Sequence, residues 1–396
     1  MLFRSGGVWA RSARSVMPTV TYPAHTTMAT GVDPGVHGIT GNVALDPLER
    51  NQQGWRWYAE DIRVPALWDA VEGAGRAAAL VSWPVTVGAR VRFLVPEYWR
   101  AGSPDDQKLL RALATPGLLA RVETRFPDLW KKLTPPDVAD EASIDVAVYL
   151  IESSAPDLLM VHIWMVDENQ HRRGPWSPGA RAAIETADRQ VARVIEACRR
   201  RGVWDETALF VVSDHGFTTA RVLVRPAAIL RERGLLAAGT DGKLTSWRAA
   251  VQSNGGTAYI HVADPRDAEA GRLAREAFAP LAAGPGATVR RFLEPDEIRR
   301  LGGDPSAAFA IEAADGVVFA DGSTGPWQMP AVSVGQHGYG PDREEMQASF
   351  LAYGPRVRRA ALGDVRLTDL APTVAAWLGI ALPTARGRAI ELERPP

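Results

Sequence analysis

Several apolar runs in the chain stop abruptly at polar residues. DLLMVHIWMV (157–166) runs into Asp167, LFVVS (209–213) runs into Asp214-His215-Gly216, and ASFLAYG (348–354) leads into Pro355. Continuous runs of this kind suit central strands covered on both faces. Between the first two lies GARAAIETADRQVARVIEACRRRG (179–202), whose apolar positions Ile184, Ala187, Val191, Val194 and Ile195 follow a helical spacing. Arg199 to Arg201 fall in its last turn, and Gly202 marks its stop. Strand, helix and strand at this distance predict a βαβ unit, hence an α/β core with a largely parallel sheet. Ligands of such sheets gather beyond the carboxyl ends of the strands. Asp167 and Asp214 both fall there.

The remaining pattern divides the chain. Residues 101–145 are charged and helical in period, which predicts a surface excursion. Residues 218–330 carry GGTAYIHV, DAEAGRLAREAFAPLAAG and FLEPDEIRRL, broken by Gly and Pro turns. They predict a smaller α+β subdomain inserted between core segments 1–217 and 331–396. The closing LTDLAPTVAAWLGIALP predicts a helix capped by Thr368 or Asp369.

Composition narrows the possibilities only a little. The 396 residues are 46% hydrophobic and 23% charged, with a net charge of −1. No global field points to a nucleic-acid polymer or a membrane surface, so an anionic ligand needs a local site. No apolar run reaches the roughly 18 residues of a membrane span. MLFRSGGVWARSARSV lacks the apolar region of a secretory signal. Cys198 is the single cysteine, which excludes cysteine-rich zinc motifs, and it lies on the apolar side of the 179–202 helix as a buried thiol. Compartment and oligomeric state stay open.

Metal-ligand residues concentrate in three islands. DENQH sets Asp167 and His171 four apart, so one helical turn aims both at one point. SDHGF places Asp214 and His215 at a strand end, and GQHGYG sets His337 between glycines. Mixed His/Asp sets suit catalytic zinc. His25, His37, His162 and His261 read instead as structural. A fourth segment, PTVTYPAHTTMATG, holds Thr19 and Thr21 between prolines, ahead of a short helix that ends at Gly31. Thr21 falls at a helix N-terminus, where free backbone N–H groups attract anions. A threonine hydroxyl becomes a nucleophile only when a base or a metal activates it.

These segments, in this order, resemble the type I phosphodiesterase/nucleotide pyrophosphatase family of the alkaline phosphatase superfamily. The likeness rests on PTVTYPAHTTMATGVDPGVHGITGN, DENQH, SDHG and GQHGYGPDREEMQASFLAYGP, with a similar LTDLAPTVAAWLGIALP ending. It covers roughly 1–217 and 331–396, and it implies an alkaline-phosphatase-like core. It also implies Thr21 as nucleophile and Asn42 as hydrogen-bond donor to a phosphoryl oxygen. One zinc would be held by Asp167, His171 and His337, and a second by Asp214, His215 and Thr21. The implied reaction is metal-dependent cleavage of a phosphodiester or pyrophosphate bond through a phosphothreonine. Its substrate would be a small phosphorylated molecule such as a nucleotide.

Neighbouring chemistries share much of this pattern. A sulfatase would need a cysteine or serine in place of Thr21. Phosphonoacetate-hydrolase-like and phosphomonoesterase activities remain compatible, as does a catalytically impaired metal-binding relic. The family also has an earlier core strand ending in Asp-Gly, whose aspartate joins Thr21 at its zinc. The twenty residues before Thr21 contain no Asp or Glu, and apart from MLF they offer no apolar run long enough for a buried strand. The resemblance therefore predicts a truncated start, a vacated central strand slot and a weakened threonine-side zinc. Trp83, Trp99, Trp176 and Trp327 are candidates for stacking a base.

Overall fold

The computed structural model describes residues 5–48, 50, 54–98, 105–133 and 139–393. The chain enters through strand β1 (Val8–Arg14) and helix α1 (Thr21–Thr30), then forms β2 (Ala78–Val81) and β3 (Phe93–Val95). Three short helices, Asp106–Leu113, Leu118–Arg125 and Leu129–Leu133, precede α2 (Ala139–Ser154). Next come β4 (Leu158–Val161), α3 (Met165–Arg173), α4 (Pro178–Arg201) and β5 (Leu209–Val212). Strands β6 (Ala249–Asn254), β7 (Thr257–Val262), β8 (Val289–Leu293) and β9 (Phe309–Ala313) follow. The chain then closes with β10 (Phe350–Tyr353), β11 (Ala360–Arg366) and α5 (Leu370–Leu378).

The strand, helix and strand of β4–α4–β5 form where the apolar pattern predicts them, but among the described residues β4 and β5 join different sheets and do not close one βαβ unit. Ser177 caps α4 by accepting from the Ala180 N–H, and Gly202 ends it in the left-handed conformation at φ 78°. The buried face runs through Ala180, Ala183, Gln190, Ile195 and Cys198. Ile184 is 51% exposed, because it lies just off that face. The described part of the 101–145 stretch, 105–133 and 139–145, is helical, but it is not a surface excursion. Leu118, Leu119, Val122 and Leu129 bury in one cluster with Ala79, Val81 and Val95 of β2 and β3. Apolar residues three and four apart outweigh the charges between them.

β1 also departs from the sequence reading, which finds no buried strand before Thr21. VWARSAR pairs parallel with β11 and antiparallel with β10. Its fit comes from backbone ladders on both sides, not from an apolar run. Val8 and Ala13 are buried while Arg11 is exposed, and Asp364 of β11 accepts from Arg11 Nε at 3.0 Å and from the Ser12 hydroxyl at 2.7 Å. Met1 to Phe3, the apolar start, lie outside the described residues.

The core layer consists of two sheets, ordered β11-β1-β10-β5 and β3-β2-β4. β2 runs parallel to β3 and β4, whereas β10 runs antiparallel to β1 and β5. Among the described residues β4 and β5 end their sheets, each with a ladder partner on one side only. Both contribute to one hydrophobic cluster, through Leu158 and Met160 of β4 and Phe210 and Val212 of β5. β2 is buried at every position, but all four residues of β5 are only half-buried. A separate antiparallel sheet, β6-β7-β9-β8, carries its own apolar cluster with Phe278 and Phe309.

Candidate active site

Thr21 opens α1, and Val20 before it is extended and offers no side-chain cap. Asn42 fills part of that role from a distance, its Oδ1 accepting from the Tyr22 N–H at 2.8 Å. That bond fixes the amide so that Nδ2 remains a donor at the helix end. Gly31 closes α1 at φ 72°. Thr19 is fully buried, and its hydroxyl donates to Tyr339 O at 2.9 Å and accepts from the Gly338 N–H at 3.0 Å. Of the two threonines, only Thr21 stands at the helix end, where it is half-buried.

The three islands meet at the ends of β4 and β5. His171 Nε2 lies 3.4 Å from Asp167 Oδ2, while His337 Nε2 and His215 Nε2 lie 3.7 and 4.0 Å from Asp167 Oδ1. Asp214 Oδ2 is 3.2 Å from His215 Nε2. Four bonds of about 2 Å arranged tetrahedrally around zinc set donor atoms roughly 3.3 Å apart. Asp167, His171 and His337 each offer a donor atom within 4.8 Å of the others.

The second coordination layer fits as well. The Nδ1 atoms of His171, His215 and His337 face the carbonyls of Gly335, Gly216 and Thr19 at 2.9, 3.1 and 3.0 Å. A carbonyl accepts, so Nδ1 carries the proton and Nε2 keeps its lone pair for the centre. Asp167 Oδ1 and His215 Nε2 are buried with no hydrogen-bond partner among the described residues, an arrangement that a cation would satisfy.

The electrostatics agree with that reading. Burial, then the adjacent His215 and His171, pushes His337 well below the usual imidazole range. The His215 and His337 rings stack with centroids 3.7 Å apart, so two positive charges there would repel. Burial works against ionised Asp214, but His215 beside it, with His25 and His162, holds it below the ordinary carboxylate range. Burial raises Asp167, partly offset by His171 and His215.

The 218–330 stretch supports these loops directly. At the tip of the β6–β7 hairpin, the Gly256 N–H donates to His337 O at 2.8 Å and the Thr257 hydroxyl to Gly338 O at 2.8 Å. Gln252 Nε2 donates to Val43 O at 2.7 Å, beside Asn42. Buried Glu312 of β9 accepts from Arg343 at 2.6 Å and Arg291 at 2.5 Å, tying the sheet to the loop after His337. Sequence pattern alone gave no sign of these supports. Gly338 sits at φ 88°, and a Cβ there would lie 1.7 Å from Asn254 O. Gly338→Ala should therefore destabilise the fold by about 3 kcal/mol, combining left-handed strain with backbone displacement. Urea unfolding checks this, and a change below about 0.5 kcal/mol, the size of an ordinary surface substitution, would contradict it.

Sequence reasoning missed Glu97, which links Tyr22 to two histidines read as structural, His162 and His25. Glu97 accepts from the Tyr22 hydroxyl at 2.7 Å and lies 2.8 Å from His162 Nδ1. The His162 ring meets the His25 ring at 4.4 Å, and His25 Nδ1 lies 2.9 Å from Thr21 O and 3.6 Å from Asp214 Oδ2. His162 is thus a partnered residue, in keeping with its structural reading, but it stands beside the site. His37 bonds Thr27 at 3.0 Å and braces α1. Trp83 is buried and Trp176 is 80% exposed; Trp99 lies outside the described residues.

Known proteins are similar to the chain at low identity. Ectonucleotide pyrophosphatase/phosphodiesterase family member 3 of Rattus norvegicus is 21% identical over 223 residues, covering 53% of this chain and 21% of the relative. Family member 5 of Homo sapiens is 23% identical over 221 residues, covering 54% and 39%. Venom phosphodiesterase 2 of Crotalus adamanteus is 24% identical over 220 residues, covering 53% and 23%. The chain spans between 21% and 39% of the length of these relatives.

Human ectonucleotide pyrophosphatase / phosphodiesterase 5 superposes with a TM-score of 0.65 at 18% identity, covering 99% of this chain and 90% of that one. The murine protein gives 0.63 at 20%, covering 97% and 90%, and it is also solved as an inactive threonine-to-alanine variant in complex with AMP. These likenesses show the fold, an alkaline-phosphatase-like α/β architecture. The model of the type I phosphodiesterase / nucleotide pyrophosphatase family matches residues 2–348, and the chain belongs to that family.

Proposed function

We propose that the chain hydrolyses phosphodiester or pyrophosphate bonds of small nucleotide-like substrates, with Thr21 as the nucleophile. The observation that carries this reading is the placement of Thr21 at the N-terminus of α1, joined to the convergent His/Asp cluster through His25, whose Nδ1 faces both Thr21 O and Asp214 Oδ2. Asp167, His171 and His337 would hold one divalent cation, zinc by their donor chemistry, and Asp214, His215 and Thr21 the other. Bound there, the cations would neutralise phosphoryl charge and favour the ionised threonine oxygen.

The chain's own groups account for the rest. Thr21 Oγ1 forms a bond to phosphorus as the opposite P–O bond breaks, releasing an alcohol or a nucleoside phosphate. Water then cleaves the phosphothreonine and restores the hydroxyl. The Thr21 N–H, the one N–H of the first turn without a partner among the described residues, and Asn42 Nδ2 bind the equatorial phosphoryl oxygens through both steps. The AMP complex of the murine neighbour supports a nucleotide as substrate.

A substrate panel tests this reading. Zinc-loaded protein should cleave bis-p-nitrophenyl phosphate and a thymidine 5′-p-nitrophenyl ester at least about tenfold faster than p-nitrophenyl phosphate, the scale of ordinary pocket discrimination. Phosphonoacetate should not be cleaved. A monoester or phosphonoacetate as best substrate would replace the proposal with one of the neighbouring chemistries.

A further inference from the structure

Two of the proposed metal ligands ride on a helix that packing barely holds. α3 has nine residues, and Met165 is the only one of them that is buried. A helix this short is marginal without outside support, so whatever anchors its ends decides where Asp167 and His171 point. The far end is tied to the loop of His337. There His171 O accepts from the Val334 N–H at 2.8 Å, and His171 Nδ1 faces Gly335 O at 2.9 Å. The near end has no cap of its own, since Trp164 offers no side-chain acceptor to the first turn.

The cap comes instead from Asp140, near the start of α2 and 24 residues before Trp164. Its Oδ1 accepts from the Trp164 N–H and its Oδ2 from the Met165 N–H, both at 3.0 Å. Asp140 is 2% exposed. Hydrogen bonds from backbone N–H groups to a carboxylate are among the strong ones, and a negative charge suits a helix N-terminus. α2 is itself fixed against its neighbours. Glu141 accepts from Gln190 Nε2 at 2.8 Å and from Arg193 Nη1 at 2.7 Å. Fully buried Asp145 accepts from Lys132 Nζ at 2.7 Å and from Arg193. The Asp140 carboxylate is therefore a rigid point, and Asp167 lies only two residues beyond the N–H that it holds.

We propose that Asp140 is a positioning residue for the cation site of Asp167, His171 and His337. It acts through the Trp164 and Met165 backbone, setting α3 against the His337 loop so that the three donor atoms converge. This rests on the cation assignment proposed above and deepens it. Asp214, His215 and Thr21 ride on other elements, so Asp140 has no such part at their position.

Zinc titration of the full chain against a competing chelator tests this, with histidine ring NMR assigning each step to His171 and His337 or to His215. Asp140→Ala should weaken zinc about 10- to 100-fold at the Asp167 position, the scale on which loss of a partner that orients a metal ligand is felt. The Asp214 position should weaken by less than about threefold, because its own supporting carbonyls are untouched. Asp140→Asn keeps the side-chain shape and one acceptor, so it should fold even where alanine does not, and its zinc affinity should lie between the two. Unchanged affinity at the Asp167 position, or equal weakening at both positions, would overturn the proposal while leaving the cation assignment in place. Failure of both variants to fold would overturn it too, as the mark of a purely structural residue. If the unaltered chain binds no zinc through His171 and His337, the cation assignment falls, and this inference with it.

Discussion

Thr21→Ala is expected to lower diester turnover by about 10³-fold or more, the scale on which loss of a covalent nucleophile is felt. Nothing else near the end of α1 can take its place. Asn42 has no nucleophilic atom, and Thr19 is buried with its hydroxyl bonded to Tyr339 and Gly338. Thr21→Ser should keep partial activity because the hydroxyl survives. Thr19→Ala should reduce stability more than chemistry, since it loosens the loop that carries His337. Rapid quenching during turnover, followed by peptide mass analysis, should show phosphate on Thr21. A fully active Thr21→Ala protein would remove the covalent mechanism.

Metal depletion should produce the second large effect. Of the proposed ligands, Asp167 and His171 follow β4 and Asp214 and His215 follow β5, two strands that share no ladder, so bound cations would link two sheets. Ligands of the native state add stability with the logarithm of their excess over the dissociation constant, about 4 kcal/mol at a thousandfold excess. Chelation should therefore lower the thermal midpoint by several degrees and abolish turnover, with both restored by zinc. The two positions should not empty together. Among the described residues, Asp167, His171 and His337 supply three carboxylate or imidazole donors to one position, whereas Asp214 and His215 supply two to the other, with the Thr21 hydroxyl as the third. Graded chelator should leave about one zinc per chain before removing the second. Simultaneous loss, measured by metal analysis, would argue against two unequal positions.

Much of the site was legible before any coordinates. Asp167 and His171 were readable because a strand end followed by one helical turn determines where both side chains point. Asp214 and His215 were readable for a related reason, as polar residues that end an apolar run. Glu97 gave no such signal. It follows a three-residue strand, and it matters only through contacts with Tyr22 and His162, 75 and 65 residues away. The hairpin at Asn254 to Thr257 was equally silent, because backbone support for His337 leaves no side-chain pattern. β1 escaped notice for a different reason. Its stability comes from partners more than 330 residues later, and VWARSAR shows neither alternation nor a run.

The ladder-free margins of β4 and β5 also bear on how the protein behaves in concentrated solution. Each margin presents backbone donors and acceptors in register, beside apolar side chains that are only half covered. Such a margin is a template for any extended chain, including another molecule's. Colloidal stability should therefore fall steeply with concentration, and it should fall sooner where the cations that brace the two margins have been stripped away. Purification in chelating buffers would then favour intermolecular strand pairing over the dispersed protein.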